Sequence, residues 1–307
     1  MEARYTPPIE FYRAEAPARF PWVNIALFVL TCLTTLLVGA VQMEGFTNGA
    51  GAVETLQAIA RSPLTMLKGW PFSLTLMTIL FSHEMGHYLM CRYYGMDASL
   101  PYFIPGPSLV GTFGAFIKIR SPFTHRPALL EMGIAGPIAG FVMSIPALIV
   151  GIALSRFGSV APGMDQLGEP LILKLIVYLL GKTPPAGMDT FLHPVALAAW
   201  FGFFVTGMNL IPAGQLDGGH VAYALFGRGH SGISMALMTG LALMGLFLWP
   251  GWLVWLAFLL VIGFRVGFSH PPTLDDSIPL PRRDIWLGWI GLAMFILCFT
   301  PVPFSLS

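Results

Sequence analysis

The chain has 307 residues, of which 55% are hydrophobic and only 10% are charged, and its mean hydropathy is +0.73. About a quarter of the residues of a soluble domain are charged, so this composition excludes a soluble globular protein and predicts an integral protein of the lipid bilayer. The net charge of +1 gives no basis for binding nucleic acid, and the three cysteines make neither a disulfide framework nor a CxxC site.

Seven apolar runs follow one another along the chain, and each approaches the roughly 20 residues that cross a bilayer. They occupy residues 22–42, 70–91, 128–154, 193–212, 231–249, 252–268 and 285–302. Pro250 and Gly251 separate the fifth run from the sixth, as expected of a tight turn. The pattern predicts an all-α polytopic membrane protein with about seven transmembrane helices.

The distribution of arginine and lysine predicts the orientation of these helices. With seven crossings, eleven basic residues fall on the side of the N-terminus and five on the other side. Because basic loops stay in the cytoplasm, we expect a cytoplasmic N-terminal tail and an external C-terminus, in a plasma (inner) membrane. Leu171–Leu180 is also apolar, but it is interrupted by Lys174 and too short to span, so we expect it to pack on the bundle.

The second apolar run contains the sequence His83-Glu84-Met85-Gly86-His87. Ionisable residues inside a membrane span indicate function, because burying them is costly unless they are paired or bound to a metal. Two histidines four residues apart lie on one face of a helix, so both imidazoles can reach one metal ion. Glu84 projects about 100° away, from where it could act on a water without binding the metal.

A hydrolytic zinc site takes a third protein ligand, which we expect from Asp, Glu, His or Cys at the same depth. The fourth run ends in a helix broken by Pro212 and Gly214, with Asn209 and Asp217 beside the break. Broken backbone at membrane depth is tolerated where it lines a polar cavity. Asp217 is the preferred third ligand, and His220 is the alternative. Glu131 begins the third run, where it could simply be interfacial.

The sequence His83-Glu84-Met85-Gly86-His87, followed by Asn209-Leu210-Ile211-Pro212 and Leu216-Asp217-Gly218, resembles the site-2 protease family of intramembrane zinc metalloproteases. The resemblance covers about residues 70–220 and implies one Zn²⁺ per chain. It implies that His83, His87 and Asp217 are zinc ligands and that Glu84 is the general base. It also implies that Asn209 lies near the substrate carbonyl.

The apolar runs, together with this resemblance for the core, suggest how the chain is divided. We expect a tail over residues 1–20, the first transmembrane helix with an external loop over 21–69, a three-helix catalytic core over 70–220, and C-terminal transmembrane helices over 221–307. The chain departs from the larger bacterial members because no loop is long enough for a PDZ domain, so we expect a PDZ-less member.

Gly111–Ile119 is apolar and punctuated by glycine, and it follows a proline-rich stretch that breaks any helix. It is predicted to be a strand or hairpin, and it resembles the re-entrant β-loop of the family. A functional interpretation is that this edge pairs with unwound substrate through residues Gly111, Thr112, Phe113, Gly114 and Ala115. The alternative is an interfacial loop docked on the bundle.

The remaining features have structural interpretations. Gly136 and Gly140 are small residues four positions apart, which favours close helix packing over contact with substrate. His270 lies in a proline-rich turn and is expected to be solvated. The same is expected of His125, His193 and His230 at span edges.

The sequence therefore predicts a zinc endopeptidase that hydrolyses peptide bonds within or near transmembrane segments of membrane proteins. This would serve regulated intramembrane proteolysis or the clearance of signal-peptide remnants. A metal- or proton-coupled transporter is one alternative, but it needs polar residues through both leaflets. A non-proteolytic scaffold is another, although a scaffold has no use for a general base beside two metal ligands.

Overall fold

The computed structural model describes residues 20–159, 166–266 and 270–305, so the predicted tail lies outside the described residues except for Phe20. The described residues form ten α-helices: α1 Trp22–Asn48, α2 Ala52–Arg61, α3 Trp70–Tyr93, α4 Arg126–Leu154, α5 Leu171–Leu179, α6 Pro194–Asn209, α7 Asp217–Phe226, α8 His230–Phe247, α9 Gly251–Val266 and α10 Arg282–Cys298.

Each of the seven apolar runs overlaps one of these helices: α1, α3, α4, α6, α8, α9 and α10. Within the described residues, four helical stretches are long and apolar enough to cross a membrane: Trp22–Asn48, Pro63–Tyr93, Arg126–Leu154 and His230–Phe247. The second of them joins a 3₁₀ helix to α3. The helices α6 and α9 are apolar but shorter, at 16 residues each. The chain is a polytopic membrane protein, and the number of seven crossings stays a prediction.

The apolar segment Leu171–Leu180 forms the short helix α5. Nine residues rise about 14 Å, which is less than half of the roughly 30 Å hydrocarbon core of a bilayer. The helix α5 packs against α4 and α10. Three of its side chains are buried: Ile172, Leu173 and Ile176.

Three helices, α3, α4 and α6, pack against one another and form the centre of the molecule. Apolar side chains from all three contribute to one buried core, among them Leu76, Leu148 and Trp200. The approach of α3 to α4 is close because Gly86 lies directly against the Ala135 carbonyl, where a Cβ atom would have no room. This contact brings the face of α3 that carries the histidines onto α4.

A β-hairpin lies between α3 and α4. Its strands are β1 Tyr102–Pro105 and β2 Thr112–Phe116, which pair antiparallel with Phe103 opposite Ala115. Main-chain hydrogen bonds from Ser99 to Lys118 and from Arg120 to Asp97 extend the ladder beyond the strands. The strand predicted for Gly111–Ile119 is therefore present, although its re-entrant position in a membrane stays a prediction.

Four further strands form two short antiparallel ribbons that the all-α prediction did not include. The strand β3 Arg156–Ser159 pairs with β5 Met188–Phe191, and β4 Gln166–Leu167 pairs with β6 Phe304–Ser305. Strands of two to four residues are too short to show an alternating apolar pattern. The helix α2 was likewise missed, because it lies in a segment predicted to be a loop.

Candidate metal centre

The two histidines of the sequence motif lie on one face of α3, as predicted. His83, Glu84 and His87 are all buried, with 4%, 6% and 5% of their surface exposed. The Nε2 atoms of the two histidines are 3.2 Å apart. Since one α-helical turn separates these residues, their rings converge on one point without distortion of the helix.

Asp217 is the first residue of α7 and reaches the same point. Its Oδ2 atom is 3.2 Å from His83 Nε2 and 3.3 Å from His87 Nε2. The turn before α7 depends on glycine: Gly214 has a φ of 55°, a conformation that residues with a side chain rarely adopt. A carboxylate in the first turn is also favoured by the helix dipole.

Three glycines of α4 form the wall against which these side chains lie. A Cβ atom at Gly136 would overlap the ring of His87, and one at Gly140 would be 3.2 Å from His83 Nδ1. A Cβ atom at Gly133 would be 2.8 Å from the Cβ of His220. The packing role predicted for Gly136 and Gly140 is confirmed, and the structure adds that the space they leave is filled by the motif histidines.

The donor set fits zinc. The Nδ1 atom of His87 is 2.8 Å from the Met132 carbonyl, which can only accept, so the proton lies on Nδ1 and the lone pair of Nε2 faces the cluster. Two imidazole nitrogens and one carboxylate oxygen then point at one another, an arrangement that a cation stabilises. Zn²⁺ prefers such nitrogen and oxygen ligands, with one position left open for water.

Among the described residues, His83, His87 and Asp217 are the one group of three ligand-type side chains close enough to hold a metal, with all ligand atoms within 4.8 Å. Glu131 is not part of it, because its carboxylate accepts a hydrogen bond from Tyr94 and pairs with Arg283. Glu131 is buried within the protein, and its interfacial position in the membrane stays a prediction.

A cavity of about 220 Å³ adjoins the cluster. Glu84 and Asn209 lie in its wall together with the three ligand-type side chains. The Nδ2 atom of Asn209 is 3.3 Å from His83 Nε2, so the amide reaches the cluster itself. The structure therefore brings together all five residues that the two sequence motifs indicated.

The hairpin contributes to the same cavity, but only with part of the predicted segment. Ala115 lies in the cavity wall, followed by Phe116, Ile117 and Ile119. The main-chain N–H of Ile117 lies near the carboxylate of Glu84. Alternation along the strand then predicts that the N–H of Ala115 also points away from β1, towards the cavity.

The other predicted contact residues of the hairpin have different surroundings. Gly111 packs on the backbone of α1 next to Thr34. The hydroxyl of Thr112 donates to the Ile104 carbonyl at 2.7 Å, which fastens the hairpin internally. Phe113 is 66% exposed, and Gly114 has a φ of 102°. None of these four lines the cavity.

The expectation that His270 is solvated is wrong. This side chain is 5% exposed, and its Nε2 atom is 2.7 Å from Nδ1 of His220. His230 is also buried, at 1% exposure, and bonds Ser234. The sequence around His270 is a turn with two prolines and does not indicate burial, because His270 contacts His220 on a helix 50 residues earlier in the chain.

Comparison with known families gives an independent result. The model of peptidase family M50 matches residues 71–248, more than half of the chain. The chain belongs to this family. The match begins at α3 and ends after α8, so it includes both sequence motifs and confirms the resemblance to site-2 proteases stated above.

Several curated proteins are similar to this chain over most of its length. The probable zinc metalloprotease EGY2 of Arabidopsis thaliana, named as chloroplastic, is 29% identical over 93% of the chain and 50% of its own length. The probable zinc metalloprotease EGY1 of the same plant is 32% identical over 76% of the chain and 43% of its own length. EGY2 of Oryza sativa subsp. japonica is 31% identical over 74% and 41%. The chain thus spans about half the length of these relatives.

Proposed function

We propose that this chain is an intramembrane zinc metalloprotease that hydrolyses peptide bonds within or near transmembrane segments of other proteins. The observation that carries the proposal is the buried cluster of His83, His87 and Asp217 beside Glu84, set inside apolar helices. Such a cluster is costly in a membrane unless it binds a cation. Membership of family M50 supports the same conclusion.

The proposed roles follow from the chemistry of each side chain. His83, His87 and Asp217 would hold one Zn²⁺ ion, which lowers the pKa of a water to about 7 and polarises a carbonyl. Glu84 takes the proton of the attacking water and passes it to the leaving amine. Asn209 is a neutral donor, so its amide N–H suits the carbonyl oxygen as negative charge develops there.

The hairpin supports a proposal about substrate. A peptide inside a helix has its carbonyls in i→i−4 hydrogen bonds, so it must become extended before hydrolysis. The edge of β2 that faces the cavity offers main-chain groups to such an extended segment, in the manner of an added strand. Ala115 is the residue of the predicted substrate-binding group best placed for this contact, because it lines the cavity.

The orientation and the membrane remain part of the proposal. We retain seven crossings with the N-terminus in the cytoplasm, on the basis of the basic residues. This places α7 and the metal cluster towards the cytoplasmic side, with a catalytic core over residues 70–220. We propose a plasma (inner) membrane, and the chloroplastic names of the relatives mark the alternative.

Incubation of the detergent-purified chain with a panel of transmembrane peptides tests the function. Cleavage that stops on chelation and returns with zinc supports the protease, whereas zinc-dependent flux across vesicles without cleavage supports the transporter. Among the described residues, only one cluster could hold a metal ion, which favours the protease. A transporter would need polar residues along a path across the whole membrane.

A further inference from the structure

His220 occupies a position in the cavity that the proposed mechanism does not use. It lies on α7 one turn after Asp217, and its side chain forms part of the cavity wall. It is not one of the three residues that converge on the metal position. One of its ring nitrogens, Nδ1, is already bonded to His270. The protonation state of the other ring nitrogen, Nε2, therefore decides whether His220 can donate or accept a hydrogen bond in the cavity.

The Pro271 carbonyl determines which nitrogen of His270 carries the proton. Nδ1 of His270 lies 2.6 Å from the Pro271 carbonyl oxygen, which can only accept, so this nitrogen carries a proton. Burial lowers the pKa of His270 to about 4, so its ring is neutral at pH 7 and its Nε2 atom has no proton. The bond of 2.7 Å between the two histidines then requires His220 to donate from Nδ1.

The loop that carries His270 is fastened to the core at several points. The hydroxyl of Tyr223, also on α7, donates to Asp276 at 2.7 Å, and its ring lies 4.8 Å from that of His270. The main-chain N–H of Leu274 donates to the Phe123 carbonyl at 2.9 Å. These contacts hold the imidazole of His270 at a fixed distance from α7.

We propose that His220 contacts substrate as a hydrogen-bond acceptor and that His270 is its positioning residue. The chain of hydrogen bonds from His220 through His270 to the Pro271 carbonyl leaves Nε2 of His220 unprotonated. That atom accepts an N–H of the extended peptide, while the Asn209 amide serves a carbonyl. The inference rests on the proposed protease function, because it takes the cavity to be the peptide-binding site.

Nitrogen NMR of the full chain in detergent tests the hydrogen-bond chain without any assay of activity. With ¹⁵N-labelled histidine, the His220 signals are assigned by their loss in His220→Asn. We expect Nδ1 of His220 to be protonated and Nε2 to be unprotonated, with and without zinc. In His270→Asn, the acceptor is lost and the proton of His220 is expected to redistribute between the two nitrogens.

Two pairs of amide substitutions separate positioning from packing. The side-chain amide of Gln reaches the place of a histidine Nε2 atom, and that of Asn reaches only the place of Nδ1. His270→Gln keeps an acceptor for His220 and should retain kcat/KM within about threefold, whereas His270→Asn should lose about tenfold, the effect of one hydrogen bond. The kcat/KM of His220→Gln should likewise exceed that of His220→Asn. All four variants should keep zinc.

Several results would overturn the inference. A proton on Nε2 of His220 in the wild type would show that this atom donates. Equal losses in His270→Gln and His270→Asn would reduce His270 to a packing role, and loss of zinc in His220→Asn would make His220 a ligand. Absence of cleavage by the zinc-loaded wild type would overturn the proposed protease function and, with it, the peptide contact. The NMR result does not depend on cleavage, so it still shows whether His220 carries its proton on Nδ1.

Discussion

His83 and Asp217 are 134 positions apart in the sequence, yet the Nε2 atom of one lies 3.2 Å from the Oδ2 atom of the other. The first belongs to α3 and the second begins α7. The helix α4 lies between them in sequence and packs against both α3 and α7. Its glycines leave the space in which the side chains meet, so the metal position depends on three helices.

Loss of a ligand should remove zinc. His83→Ala, His87→Ala and Asp217→Ala should each lower the zinc content of the purified protein strongly, because each removes one of three donor atoms. The measurement is zinc per chain by elemental analysis. Asp275→Ala is the matched control, since this carboxylate is exposed, accepts a hydrogen bond from Ser277 and does not line the cavity. Full zinc in Asp217→Ala would refute the assignment of this residue.

Addition of one methyl group to α4 should disturb the site. The Cβ atom of Gly136→Ala would overlap the ring of His87, whereas that of Gly140→Ala would lie 3.2 Å from His83 Nδ1, where a small shift relieves the contact. We expect Gly136→Ala to lower zinc content and cleavage and Gly140→Ala to have a milder effect. Equal zinc affinity in the two variants and the wild type would contradict the close packing of Gly136 against His87.

The edge of β2 should contribute through its backbone. Proline lacks an N–H, so Ala115→Pro should strongly reduce cleavage of transmembrane substrates if the N–H of this residue pairs with substrate. Ala115→Val keeps the N–H and should be mild. Zinc should remain bound in both. Short extended peptides should be affected less than helical ones, and wild-type cleavage by Ala115→Pro would show that the hairpin only packs on the bundle.

Much of the site was predictable from the sequence because its residues are local and chemically unusual. His83, Glu84 and His87 are separated by helical spacing inside an apolar run, where charge is costly and therefore informative. Asp217 followed from the broken helix before it, from the matching depth of the second and fourth runs, and from the sequence motif. The position of each run in the bilayer and the local sequence were sufficient, so no knowledge of side-chain contacts was needed.

The rest depended on contacts between distant segments. Nothing near His270 indicates burial, because its partner His220 is 50 residues away. The ribbon of β3 and β5 was missed for a similar reason, since four-residue strands form only when their partner is present. The hairpin segment was correctly predicted to be extended, but which of its residues face the cavity depends on register, which the sequence pattern left open.

Labelling of introduced cysteines should reveal the orientation. Pro122→Cys and Ser277→Cys should react only from the cytoplasmic side and Thr47→Cys only from the outside, as the basic residues predict. The native cysteines are buried or half-buried in helices and serve as an internal control. Opposite accessibility of positions 122 and 277 would show that α5 crosses the membrane after all.

The central claim is that Glu84 is the base of a zinc peptidase, and one comparison tests it most directly. Wild type and Glu84→Gln are purified in detergent, their zinc content is measured, and both are incubated with the same transmembrane peptide. The account predicts about one zinc per chain in both proteins, with cleavage reduced at least about 100-fold in Glu84→Gln. Cleavage by zinc-loaded Glu84→Gln at the wild-type rate would contradict it.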